Sequence, residues 1–137
     1  MVIMNNHFDI SKVTRCIFRS VTFAYQVFYR VRFIECKFID CTFDEDTVFQ
    51  ECNFRDSDFS DQDLNNVKFI DCDLRNVYFI DSKMENTVLD KSHIYLEDFE
   101  HFDEDTNDTP DLKNAIIHDW TEEDYKQVIL DFWEFEN

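Results

Sequence analysis

Large apolar side chains recur at every fifth position. Counting from Phe8 they are Phe8, Val13, Phe18, Phe23, Phe28, Phe33, Phe38 and Phe43. One extra residue enters near Asp46, and the count resumes as Phe49, Phe54, Phe59, Leu64, Phe69, Leu74, Phe79, Met84, Leu89 and Ile94. Two residues before most of these eighteen centres stands a small or compact side chain: Ser11, Cys16, Val21, Val31, Cys36, Cys41, Thr47, Cys52, Ser57, Val67, Cys72, Val77, Ser82, Thr87 and Ser92. Asn6, Gln26 and Gln62 break this second rule. A period of five serves neither an α-helix, whose faces repeat about every 3.6 residues, nor a strand, whose faces alternate. It suits a solenoid in which each five-residue unit turns the chain by a quarter, with one large and one small side chain pointing inward.

The double pattern, a large centre with a small residue two before it, resembles the pentapeptide-repeat family over residues 6–96. The resemblance implies an all-β solenoid, a right-handed quadrilateral β-helix with four units per coil. The family's usual centre is Leu with Ala two before it; Phe with Cys or Val here implies a core of stacked rings. Residues about twenty apart then stack at the ~4.8 Å spacing of neighbouring strands. Phe18, Phe38, Phe59 and Phe79 form one expected ladder, and Phe8, Phe28, Phe49 and Phe69 another. The five cysteines all fall at the small inward position and read as small buried hydrophobes.

The slip at Asp44-Glu45-Asp46 reads as a bulge on one corner, either a mere accommodation or a display of three carboxylates toward a partner. After Ile94 the pattern fails. Residues 97–111 hold eight acidic and no basic side chains and the one Pro, so 97–120 reads as an acidic linker. Thr121 followed by Glu122, Glu123 and Asp124 predicts a helix start in 121–137. On that helix Tyr125, Val128, Ile129, Phe132 and Trp133 share an apolar face that would cap the last coil. The resemblance implies a second role for this segment, pairing two subunits into a homodimer as in gyrase-interacting pentapeptide proteins.

Composition narrows the function. The 137 residues contain no Gly, so a dinucleotide fingerprint, a P-loop and a nucleophile elbow are all excluded. The four histidines, His7, His93, His101 and His118, show no metal-ligand spacing, and residues 103–108 lack the glycine turn and final Glu of a calcium loop. A non-enzymatic protein without cofactor or metal is expected. The odd number of cysteines and the absence of a long apolar run or basic leader point to a soluble protein of the reducing cytoplasm.

A net charge of −18 disfavours direct contact with nucleic acid or membrane surfaces and favours basic partners. The charge is graded: residues 1–39 carry six basic and two acidic side chains, residues 40–137 seven and 29. Residues 40–66 alone carry nine acidic and one basic, over about 6.5 Å of solenoid axis, where duplex DNA carries ~4 charges. The quarter-turn rule stacks Asp40, Asp61 and Asp81, with Ser20 and His101, in one outward column, bordered by Ile39 and Ile80. Tyr29, Ile34, Ile70 and Tyr78 are also expected outside, Tyr78 joining Ile39 and Ile80 as the apolar part of an interface. Lys12, Arg15, Arg32, Arg55 and Arg75 cluster on another face, where they would neutralise Glu35, Asp56 and Asp73.

The resemblance implies a DNA mimic that occupies the basic cleft of a DNA-binding protein, with Asp40, Asp44, Glu45, Asp46, Glu51, Asp58, Asp61, Asp71 and Asp81 as its contact surface. Type II topoisomerases are the family's best known targets; a host-defence nuclease, blocked as by an anti-CRISPR or anti-restriction protein, suits the charge equally. The alternative is an interaction scaffold whose acidity serves solubility.

Overall fold

The computed structural model describes residues 12–99, 102 and 109–119. The chain winds as an all-β solenoid of three-residue parallel strands. β1 (Lys12–Thr14) pairs with β4 (Arg32–Ile34), and β2 (Ile17–Arg19) with β5 (Lys37–Ile39). β3 (Val27–Tyr29) pairs with β6 (Val48–Gln50), which pairs in turn with β7 (Lys68–Ile70). Lys12 lies on Arg32 and Val48 on Lys68, while across the slip Val27 lies on Val48. Four five-residue units therefore make one coil, and the four sides form faces named here by their centres. The first carries Val13, Phe33, Phe54, Leu74 and Ile94; the second Phe18, Phe38, Phe59 and Phe79; the third Phe23, Phe43, Leu64 and Met84; the fourth Phe28, Phe49, Phe69 and Leu89. Single bridges such as Asn53 to Asp73 to His93 and Asp63 to Lys83 carry the register through the later coils.

The corners close in two ways. At some the centre's carbonyl accepts a hydrogen bond from the amide three residues on, as in Ser57 to Phe54 (3.0 Å) and Val67 to Leu64 (3.1 Å), the arrangement of a type II turn. At others that amide donates to a side chain of the next coil, as in Cys36 to Ser57 Oγ (3.0 Å) and Cys72 to Ser92 Oγ (3.1 Å). In both the residue two after the centre is left-handed. Fifteen such residues, from Arg15 (φ 53°) to Lys91 (φ 56°), do this without glycine. Eight of them are Asp or Asn, the side chains that best tolerate that region. At the slip none of residues 44–46 has positive φ, so the extra residue turns this corner by lengthening it.

The core is the expected ring ladder. Phe38 stacks on Phe18 at 5.2 Å and on Phe59 at 4.3 Å, and Phe59 on Phe79 at 5.9 Å, with rings within about a dozen degrees of parallel. Phe49 stacks likewise between Phe28 and Phe69; Phe8 lies outside the described residues. The small inward position does more than fill space. Its hydroxyl or thiol donates to the carbonyl of a centre in the preceding coil: Ser57 to Phe33 (2.7 Å), Thr87 to Leu64 (2.8 Å), Cys72 to Phe49 (3.1 Å) and Cys41 to Phe18 (3.1 Å). Cys36, Cys52 and Cys72 are buried as expected, Cys41 half-buried, but Cys16, in the first described coil, is exposed. Burial pushes the Cys36 thiol up to about 11 and raises Cys72 also, which keeps both protonated and unreactive.

The segment read as a linker departs from that reading in its described parts. Leu96–Phe99 forms a 3-10 turn whose Phe99 packs on Phe79 at 5.2 Å, extending the second-face ladder. Asp111 then bridges to Val88, and β9 (Ile116–His118) pairs with β8 (His93–Tyr95). Pro110, Leu112, Ala115 and Ile117 resume the small-then-large spacing, so residues 109–119 belong to the stack. The capping or dimer helix expected on 121–137, with Tyr125, Ile129, Phe132 and Trp133, lies outside the described residues.

Candidate partner-binding surface

The acidic column forms where expected. Ser20, Asp40, Asp61 and Asp81 follow one another in register at the corner between the second and third faces, the coils being joined by backbone bonds from Ser20 to Ile39 (2.8 Å), Phe38 to Asp58 (3.1 Å) and Asp61 to Ile80 (3.0 Å). All three carboxylates are exposed and none is in an ion pair among the described residues. At one carboxylate per ~4.8 Å the row is slightly sparser than the phosphates of one DNA strand, about one per 3.4 Å of axis. His101 lies outside the described residues. The backbone accounts for part of this row, since the three sit at φ 51°, 63° and 58°, where Asp is favoured.

The other six predicted acids divide. Glu45 and Asp46 are exposed at the next corner, but Asp44 is half-buried and turned back to hold the loop. Its carboxylate accepts from the amides of Tyr25 (3.2 Å) and Asp46 (3.0 Å) and from the Thr47 hydroxyl (3.1 Å). The slip thus displays two carboxylates, not three. Asp58 is half-buried on the second face, 4.0 Å from the Lys37 ammonium. Glu51 and Asp71 lie at the diagonally opposite corner, in a column running Arg30, Glu51, Asp71, Lys91. Glu51 there pairs with Arg30 at 3.5 Å, and its carboxylate is the main cause that raises the Tyr29 phenol. These two cannot share a flat footprint with Asp61. Asp63 and Glu85, exposed on the third face beside the column, were missed; the same quarter-turn count would have placed them there.

The apolar border is present on the second face. Ile80 is 53% exposed, Tyr78 48% and Ile17 62%, with Ile39 half-buried between them. Burial, then the carboxylates of Asp56, Asp98 and Asp58, push the Tyr78 phenol up. Tyr29 is also exposed and Ile70 half-buried, but Ile34 is buried (6%) because Thr14 and Arg55 flank it in the same column. Asp98, in the 3-10 turn, accepts from the Asn76 amide at 2.9 Å, and its carboxyl is pushed up to about 7, chiefly by burial.

Two histidines that looked scattered are brought together, His93 Nδ1 lying 2.7 Å from His118 Nε2 across the β8–β9 pair. Among the described residues no three His, Cys, Asp or Glu side chains could share a metal ion, and no helix is long and apolar enough to cross a membrane. Shallow grooves of about 280 and 300 Å³ follow the corner between the third and fourth faces, one lined by Asn86, Val88, Asp111 and Asn114, the other by Glu45, Asp46, Asn66 and Lys68.

No curated protein matches this sequence. Among solved structures, a trypsin-treated form of QnrB1, a plasmid-mediated fluoroquinolone resistance protein, aligns at 15% identity with a TM-score of 0.34. The alignment covers 69% of this chain and 55% of that one, so the chain spans about half the length of that protein. The sequence model described as pentapeptide repeat region matches residues 11–101, the same stretch that builds the stacked coils, and the chain therefore belongs to the pentapeptide-repeat family.

Proposed function

We propose that the corner carrying Asp40, Asp61 and Asp81, with the exposed acids of the third face and the apolar border of Ile39, Tyr78 and Ile80, binds a protein whose own ligand is DNA, and competes with that DNA for a basic cleft. The observation that carries this reading is a choice of side chain. A left-handed corner accepts Asn as readily as Asp, and Asn stands at 66, 76 and 86 on other corners. This corner carries Asp in three successive coils, despite the repulsion between stacked like charges. The left-handed backbone favours a short polar side chain there; it does not call for the charge. A row of carboxylates on a rigid rod presents an enzyme's phosphate-binding lysines and arginines with a preorganised substitute for a DNA strand, and electrostatic steering speeds and selects the encounter. The apolar border supplies contact area that charge alone lacks.

The test is capture from bacterial lysate on immobilised protein, eluted first with short duplex DNA and then with salt. The mimic reading expects DNA-binding enzymes, a topoisomerase or a defence nuclease among them, in the DNA eluate. A second reading, a scaffold that binds through Ile17, Tyr78 and Ile80 with its charge serving solubility, rests on the exposure of those side chains. It expects partners that neither DNA nor salt releases.

A further inference from the structure

Among the described residues the first face gathers the most basic side chains, and its cations do not all share one fate. Arg15 lies 3.0 Å from Glu35. Arg75 grips Asp73, two residues before it, with Nε on Oδ1 at 2.9 Å and Nη2 on Oδ2 at 2.8 Å. Arg55 occupies the same repeat position one coil earlier, but the residue two before it is Asn53, whose Oδ1 is engaged with the Arg55 backbone amide at 3.0 Å. The Arg55 Nε and Nη2, the two nitrogens that Arg75 spends on Asp73, are buried without a hydrogen-bond acceptor. The carboxylates on the adjoining corner are occupied, Glu35 by Arg15 and Asp56 by the Asn76 amide group at 2.6 Å. Two nitrogens of a charged group are thus held away from water without an acceptor, which costs free energy that a bound carboxylate would recover.

We propose that Arg55 is a carboxylate-binding site, and that its occupant is an Asp or Glu side chain of a protein partner. The Arg75–Asp73 pair shows the bidentate geometry that this repeat position supports. Swinging on its flexible stem, the half-buried Arg55 brings the fork to the surface, beside exposed Lys12 and Arg32, which stack in register in the neighbouring column. A planar carboxylate matches the fork, and a chain of net charge −18 repels the extended polyanion that would bring a phosphate. The site is independent of the acidic column and stands whether or not that column binds.

The experiment follows the Arg Nε–Hε resonances by NMR while acetate replaces chloride at constant ionic strength. In the natural protein the Arg55 resonance should move saturably toward the position of Arg75. In Asn53→Asp, which copies the Asp73 arrangement and so keeps the fold, it should start there, with acetate binding at least about tenfold weaker. In Arg55→Gln the amides around Asn53 should no longer respond. The proposal is overturned if Arg55 does not move, if Asn53→Asp leaves its response unchanged, or if Arg55→Gln still responds, which would mean diffuse attraction by Lys12 and Arg32. Inorganic phosphate saturating the site at tenfold lower concentration than acetate would also overturn the carboxylate assignment.

Discussion

The residues of this solenoid serve two masters, the inside of a coil and the bond to the next one. The inward Cys, Ser and Thr show it best: a size rule is visible in the sequence, but the donor role is not, because the acceptor lies more than twenty residues away. Ser57 accepts from the Cys36 amide at 3.0 Å and donates to Phe33 at 2.7 Å. Ser57→Ala should therefore lower stability by about 1–3 kcal/mol in urea unfolding, the cost of stranding buried polar groups, whereas Cys72→Ser, which keeps a donor, should cost less. Thiol chemistry gives an independent check. At pH 8 Cys16 should react with a disulfide reagent in the folded protein, while Cys36, pushed up to about 11, reacts only on unfolding. Corner residues carry the same lesson: charge at Asp40, Asp61 and Asp81 was legible, but the left-handed backbone that explains half of it was not.

Among the elements, the ring ladder was the most legible, since a strict period of five with one slip dictates which rings meet. Phe59→Ala, which removes the ring between Phe38 and Phe79, should cost about 3–5 kcal/mol. The return of residues 109–119 to the stack was illegible because the insertion after Phe99 breaks the count, although Pro110, Leu112, Ala115 and Ile117 keep the spacing. For the same reason His93 and His118 looked unrelated. The 3-10 turn that begins this insertion should be sensitive to pH. Asp98 titrates at about 7 in the fold and near 3.9 in an unfolded chain, so the fold favours its protonated form. Its contribution is full below about pH 4 and is lost as pH rises through about 7. Hydrogen exchange at the Asn76 amide should thus be slower at pH 5 than at pH 8 after correction for intrinsic rates, and Asp98→Asn, which retains an acceptor, should remove the difference.

For the whole molecule, geometry sorts the charges that composition only counts. The acids read from the sequence as one surface lie on three corners and on the second face, because a period of five distributes neighbouring residues around the rod. Asp40, Asp61 and Asp81 align; Glu51 and Asp71 face the opposite way and are flanked by Arg30 and Lys91. Changing Glu51 and Asp71 to the amides should leave partner binding within about twofold, since they lie off the proposed footprint. The decisive measurement is the affinity of a captured DNA-binding enzyme for the natural protein and for a variant with Asp40, Asp61 and Asp81 changed to Asn, with and without competing duplex DNA. Because Asn suits the same corners and relieves repulsion, the variant should unfold at the same temperature or higher. The account predicts binding to the natural protein that duplex DNA abolishes, and affinity at least about tenfold weaker, with a shallower salt dependence, for the folded variant. Equal affinities, or binding of enzyme, protein and DNA together, would contradict it.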